Sequence, residues 1–165
     1  MAKTKVLRAI PDLCTGCRIC ELVCSLYKTG TANPSLARIK IQNVRKESRF
    51  IPVICRHCQN APCFAACPVP GAMSLNEAIG VVSINADKCI TCLACMEACP
   101  FGAIQIGPNA EVLKCDLCGG EPLCAKYCPV RPDHQSHYLS YPRASCLEYV
   151  EPDKVTRKAG KEGGE

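Results

Sequence analysis

The chain has 165 residues, enough for one ordinary domain or two very small ones. Seventeen are cysteine, against five tyrosines, three phenylalanines and no tryptophan, which excludes a conventional core of large apolar side chains and leaves disulfides or metal to hold the fold. The formal charge is a modest +5, and no apolar run approaches the roughly 18 residues that span a bilayer.

In chain order, MAKTKVLRAIPDLC carries basic residues but no signal-peptide apolar region, twin arginine or small-residue cleavage site, so the expected compartment is the cytoplasm. Thiols are kept reduced there, which favours metal over disulfides. The first cysteine run is Cys14, Cys17, Cys20 and Cys24, and it continues into ELVCSLYK, a candidate helix ending near Gly30. ARIKIQNV then alternates Ile39, Ile41 and Asn43 against Arg38, Lys40 and Gln42, and FIPVI follows the charged turn RKES, which predicts two short strands with an exposed turn. The second run is Cys55, Cys58, Cys63 and Cys67, with a short helix over NAPCFAAC. VPGAMSLNEAIGVVSINADK reads as a hairpin, in which Met73 and Leu75 alternate with polar neighbours and VVSINA alternates again after NEAIG. The third run is Cys89, Cys92, Cys95 and Cys99, with a helix over LACMEAC. AIQI and EVLK form a shorter pair around GPN, with Gly107 and Pro108 supplying the turn. The fourth run is Cys115, Cys118, Cys124 and Cys128, with a helix over EPLCAKYC. Each helix should be about two turns long. Cys146 is left over, and from Glu151 onward EPDKVTRKAGKEGGE has no apolar pattern and reads as a flexible tail.

The intervals carry the chemistry. Runs one and three are C-x2-C-x2-C-x3-C, run two is C-x2-C-x4-C-x3-C and run four is C-x2-C-x5-C-x3-C. A C-x2-C-x2-C loop brings three thiolates to one point while a fourth leaves along a helix, which is the bacterial ferredoxin spacing for [4Fe–4S] clusters, the fourth cysteine serving the neighbouring cluster. Runs two to four end in Cys-Pro, and proline disfavours helix in the residue before it, so those helices stop there. Zinc ribbons use two C-x2-C pairs and ask for no third and fourth cysteine at these intervals, and a disulfide framework belongs in an exported chain. Sixteen cysteines at about four per cluster supply four [4Fe–4S] clusters.

Runs two and three, with FIPVI before them, one hairpin between them and GAIQI after them, make a complete two-cluster unit of strand, run, hairpin, run and strand. They should therefore exchange their last cysteines, so that Cys55, Cys58, Cys63 and Cys99 hold one cluster and Cys89, Cys92, Cys95 and Cys67 another. Run one is left to exchange with run four, giving Cys14, Cys17, Cys20 and Cys128 for a third cluster and Cys115, Cys118, Cys124 and Cys24 for the fourth. The expected fold class is α+β, two nested bacterial-ferredoxin-like units of short antiparallel hairpins and short helices. Residues 1–48 with 107–150 form the outer unit, 49–106 the inserted inner unit, and 151–165 the tail.

The nested order, together with CRHCQNAPCFAACPVPGA, CITCLACMEACPFGAI and KCDLCGGEPLCAKYCPV, resembles the four-cluster electron-transfer subunits of molybdenum and tungsten oxidoreductases, the dimethyl sulfoxide reductase iron–sulfur subunit type, over roughly residues 5 to 130. The short form, with CDLCGGEPLC in run four and CSLYKTGTANPSLARIKI after run one, looks most like the small subunit that accompanies tungsten enzymes of the aldehyde ferredoxin oxidoreductase family, among them aldehyde oxidoreductases and the related benzoyl-CoA reductase assemblies. One departure is VRPDHQSHYL after the last Cys-Pro, where members of this type commonly carry a T-G-A turn.

The resemblance implies a non-catalytic subunit that relays single electrons between a large tungsten- or molybdenum-pterin catalytic subunit and another redox partner, a flavin protein or a ferredoxin. The residues agree, since nothing in them supplies a substrate pocket, a nucleophile with its base or a phosphate loop. The alternatives are a free soluble polyferredoxin carrier, an electron-transfer subunit of a hydrogenase or formate dehydrogenase, and a structural zinc protein; stacking of copies into a longer cluster row is a further variant.

Four thiolates around an oxidised core leave about −2 per site, about −8 in all, which turns the +5 chain into one of about −3 and removes the case for nucleic acid. Arg45, Lys46 and Arg49 then read as a solvated turn, with partner docking as the alternative. His57, inside CRHC, is expected to pack in its loop, the alternative being a hydrogen bond that tunes its cluster. His134 and His137 read as surface histidines rather than a metal pair, and Cys146 as a spare thiol, with a redox or partner-contact role as the alternative.

Overall fold

Among the described residues, eight short strands make four separate two-stranded antiparallel sheets, and no sheet grows wider. The computed structural model describes residues 5–129 and 145–151. In chain order the elements are β1 (Val6–Ala9), α1 (Ile19–Thr29), β2 (Lys40–Val44), β3 (Arg49–Val53), α2 (Pro62–Ala65), β4 (Met73–Asn76), β5 (Val81–Ile84), α3 (Ala94–Glu97), β6 (Gln105–Ile106), β7 (Val112–Leu113), α4 (Leu123–Lys126) and β8 (Leu147–Val150). Residues 152–165 of the tail and VRPDHQSHYL, with His134 and His137, lie outside the described residues. This is a small α+β fold.

Three sheets are hairpins between chain neighbours. β2 runs against β3 with Lys40 opposite Val53, and the exposed 3₁₀ turn Arg45–Glu47 joins them. In that turn region Arg49 pairs with Glu47 at 3.3 Å and Asp12 at 3.6 Å. β4 pairs with β5, and β6 with β7. In the last of these turns the left-handed residue is Ala110, φ +62°, rather than Gly107 or Pro108. No local pattern in the sequence announces the fourth sheet: β1 pairs with β8 from the far end of the chain, Val6 opposite Val150 and Ala9 opposite Leu147, with Arg8 Nε donating to Glu148 Oε2 at 2.8 Å.

The helices are of two kinds, neither of them two turns. α2, α3 and α4 have four residues each, cut short two residues before Cys67-Pro68, Cys99-Pro100 and Cys128-Pro129. α1 has no proline to stop it and runs for 11 residues until Gly30, in the left-handed region at φ +72°, returns its N–H to the Leu26 carbonyl at 2.8 Å. Its buried face is Cys20, Glu21, Cys24 and Ser25. Glu21 is a carboxylate inside the fold: its Oε1 accepts the Ile41 N–H at 2.8 Å, tying α1 to β2.

Two cores result. The larger gathers Leu7, Leu13, Ile39, Ile41, Leu117 and Leu147 around Cys20, Cys24 and Cys124, and the smaller gathers Met73, Val82 and Ile104 around Cys95. Burying Leu117 and Leu147, both 1% exposed, contributes about 1.5–3 kcal/mol each. Strict alternation fails in β4 and β5 for a definite reason. Val81 enters the larger core and Val82 the smaller, so β5 is covered on both faces. Leu75, which alternates in phase with Met73, is 46% exposed, so the buried face of β4 ends at Met73. Across the molecule α1 packs on α4, and α2 on α3.

Candidate metal centres

Each cysteine run begins with the same backbone device. The second residue inside each C-x2-C lies in the left-handed region: Gly16 at φ +71°, His57 at +47°, Thr91 at +56° and Leu117 at +55°. Such a residue turns successive N–H groups toward one side and makes a concave, anion-accepting loop. Three of the four positions are not glycine, and each carries roughly 1–2 kcal/mol of strain. In runs one to three a second left-handed residue, Arg18, Ala61 or Leu93, precedes the helix that carries the third cysteine. Run four differs: Pro122 is extended there, and Cys118 and Gly119 take the left-handed conformation instead.

These loops and helices line four cavities that open in part to solvent, each with 330–450 Å³ of unfilled space. Cys14, Cys17, Cys20 and Cys128 line the first, and Cys24, Cys115, Cys118 and Cys124 the second. Cys55, Cys58, Cys63 and Cys99 line the third, and Cys67, Cys89, Cys92 and Cys95 the fourth. In every case three cysteines of one run meet the last cysteine of another. Neighbouring cavities share structure. Cys20 and Cys24, both on α1, reach the first and second, Cys55 lies in the walls of the second and third, and Cys63 and Cys67, at α2, reach the third and fourth. The cavities thus form a row, and the exposed cysteines among all of these, Cys17 and Cys92, belong to its two ends.

The donor set fits a thiolate-ligated cluster. Three of the four closing cysteines accept a backbone N–H: Arg38 to Cys24 at 3.3 Å, Ala103 to Cys99 at 3.5 Å and Leu147 to Cys128 at 3.4 Å. Such bonds favour the thiolate and set the potential of a bound cluster. Burial works the other way. It pushes the Cys20 and Cys115 thiols up to about 12, helped at Cys20 by the neighbouring Glu21 carboxylate, and raises Cys124 further. A cationic core between the sulfurs supplies the opposing charge that such thiols need to ionise. Among the described residues no three histidine, cysteine, aspartate or glutamate side chains converge on a single ion; the sulfurs stand apart around the cavity walls.

Three further residues reach these cavity walls. His57, expected to pack in its loop, is buried in the wall of the third cavity. Lys114, unnoticed in the sequence, lines the same cavity at 6% exposure, and its Nζ donates to the carbonyls of Val82 and Cys115, the latter at 3.2 Å. Its charge draws the Cys63 thiol down against the dominant effect of burial. Cys146, read as a spare thiol, is buried and lines the first cavity. The neighbouring Cys146 side chain, with the Leu147 N–H, outweighs burial and holds the Cys128 thiol below its ordinary value, while the same proximity and burial push Cys146 upward.

A family model for the 4Fe-4S dicluster domain matches residues 46–134, and one for a 4Fe-4S binding domain matches residues 11–30. The chain belongs to the family of the 4Fe-4S dicluster domain. It is 42% identical over 119 residues to the aliphatic sulfonate oxidoreductase polyferredoxin-like subunit of Pyrococcus furiosus, covering 72% of the chain and 68% of that protein. It is 34% identical over 137 residues to a component of the anaerobic dimethyl sulfoxide reductase of Escherichia coli, with 72% and 66% covered. A solved structure, the BamBC active-site complex of benzoyl-CoA reductase, aligns over 89% of the chain and 76% of its own with a TM-score of 0.47 at 21% identity. The chain is an iron–sulfur electron-transfer subunit of an oxidoreductase complex. Its cofactors are [4Fe–4S] clusters, and no helix among the described residues is long and apolar enough to cross a membrane.

Proposed function

We propose that the chain carries four [4Fe–4S] clusters in two nested ferredoxin-like units, held by the sixteen run cysteines in the four sets that line the cavities, and relays single electrons between a tungsten- or molybdenum-pterin catalytic subunit and a second redox partner. The observation that carries this reading is the row of four equivalent cysteine-lined cavities with an exposed cysteine at each end. Supporting it, the β1–β8 pair and the α1–α4 contact close one unit, and the α2–α3 contact lies within the other. The chain is not catalytic alone, and it works in the cytoplasm.

A [4Fe–4S] cluster supplies a one-electron centre that changes charge without making or breaking bonds to substrate. The chain's own residues do the rest. The cysteines fix the centres, and the N–H groups of Arg38, Ala103 and Leu147 favour the anionic sulfurs they touch. Cys17 and Cys92 bring the outer two cavities to the surface, where partners can exchange electrons. Lys114 offsets charge in the third cavity. The pterin-enzyme partner follows from the sequence resemblance and agrees with the names of the relatives, which are parts of oxidoreductases.

The test is iron and sulfide analysis on anaerobically purified chain together with native co-purification. About 16 iron atoms with matching sulfide per chain are expected, along with a large subunit containing pterin-bound tungsten or molybdenum. Zinc without sulfide would overturn the cluster reading, and a chain that purifies alone and reduces several enzymes would replace the subunit with a free carrier.

A further inference from the structure

The first cavity holds more sulfur than one cluster uses. Cys14, Cys17, Cys20 and Cys128 line it, and Cys146 lines it too. Cys55 also reaches a second cavity, but it is one of the four cysteines of the third, whereas Cys146 completes no other set. Cys146 is 5% exposed and its backbone is fixed on both sides. Its carbonyl accepts the Ile10 N–H at 2.8 Å, and the next residue, Leu147, is the one whose N–H donates to Cys128 Sγ at 3.4 Å. The β1–β8 ladder therefore holds a thiol beside the Cys128 sulfur, on the wall of an end cavity whose Cys17 is exposed.

We propose that Cys146 is a reserve iron ligand at the first cavity, able to take the position held by Cys128. The inference rests on the ligand sets proposed above. The exchange is a substitution with no change of oxidation state: the bond from Cys128 Sγ to iron breaks, one from Cys146 Sγ forms, and the proton of the Cys146 thiol passes to Cys128 Sγ. Charge and electrons balance, so no oxidant or reductant is required. The fourth cavity, the other exposed end, is lined by Cys67, Cys89, Cys92 and Cys95 with no fifth thiol, so the protection is one-sided.

The experiment compares the full chain with Cys128→Ser, Cys146→Ser and the double variant, purified anaerobically and read by iron, sulfide and the paramagnetic resonance of the reduced clusters. Wild-type iron well below about 16 would count against the proposed function itself, before any variant is considered. Given full loading of the wild type, Cys128→Ser should keep wild-type iron with an altered signal from one cluster, and the double variant should lose that cluster. Equal retention or equal loss in the single and double variants overturns the proposal. Should Cys128→Ser fail to accumulate, release of iron to a chelator decides: Cys146→Ser should lose its first cluster several-fold faster than wild type, and equal rates overturn the proposal.

Discussion

Gly16 shows how little room a ligand loop leaves. It combines a φ of +71° with an ideal Cβ position only 2.7 Å from the Phe50 ring, so a methyl group there meets both backbone strain and a neighbour that must move. Gly16→Ala should cost about 1–2 kcal/mol in conformation and about 1–3 kcal/mol in overpacking, lowering the urea midpoint of the holo-protein with little change in slope. Lys28 and Asp116 make a second residue-scale case. Lys28 Nζ meets Asp116 Oδ2 at 2.6 Å across 88 residues, and the Asp116 Oδ1 accepts the Cys118 N–H at 3.1 Å. Burial alone would raise the Asp116 carboxyl, but the hydrogen bond and charge of Lys28 hold it below its ordinary value. A depressed carboxyl stabilises the fold above its unfolded pKa and loses that contribution only as pH falls through the folded one. A double-mutant cycle of Lys28→Met and Asp116→Asn should give a coupling of about 1 kcal/mol, unchanged between about pH 5 and pH 8 because both limits lie above the carboxylate range.

At the scale of elements, what could be read from the chain and what could not divides along contact distance. The hairpins were legible because alternation and turn residues are local, and so was the end of the first helix near Gly30, although its 11 residues exceed the two turns that its short apolar pattern suggested. The β1–β8 pair was not legible: KVLRA carries a mixed pattern, and its partner lies almost a whole chain away. The placement of Cys146 depends on that pair and was missed with it. Lys114 was missed because a lysine beside a cysteine run reads as surface charge until a cavity wall closes over it. The spacing of the cysteines made the centres legible as chemistry, while no local signal announced the strain at His57, Thr91 and Leu117. α1 also offers a direct test, because Cys20 and Cys24 sit on one helix yet line different cavities. Cys24→Ser should weaken the centre of Cys115, Cys118 and Cys124 and spare that of Cys14, Cys17 and Cys20, which paramagnetic resonance on selectively reduced protein would distinguish; loss of the latter alone would refute the assignment.

For the molecule as a whole, the cysteines that line the cavities also sit inside its cores: Cys20, Cys24 and Cys124 in the larger and Cys95 in the smaller. Apolar side chains share both cores with these sulfurs, and among the described residues none of the buried ones is aromatic. Folding and cofactor loading should therefore be one event, and chelation of iron should abolish both the visible absorbance and most tertiary structure together, as followed by near-ultraviolet circular dichroism during anaerobic titration. Retention of native dichroism in iron-free protein would contradict this.

The pairing of the two ends has a consequence for synthesis. Arg8 and Glu148, which face each other across β1 and β8, are 140 residues apart. At about 5–20 residues per second on the ribosome, the first strand waits roughly 7 to 28 s for its partner. For that interval a bare strand edge and the cysteines behind it stand open, so the earliest moment at which the fold can close is set by translation speed.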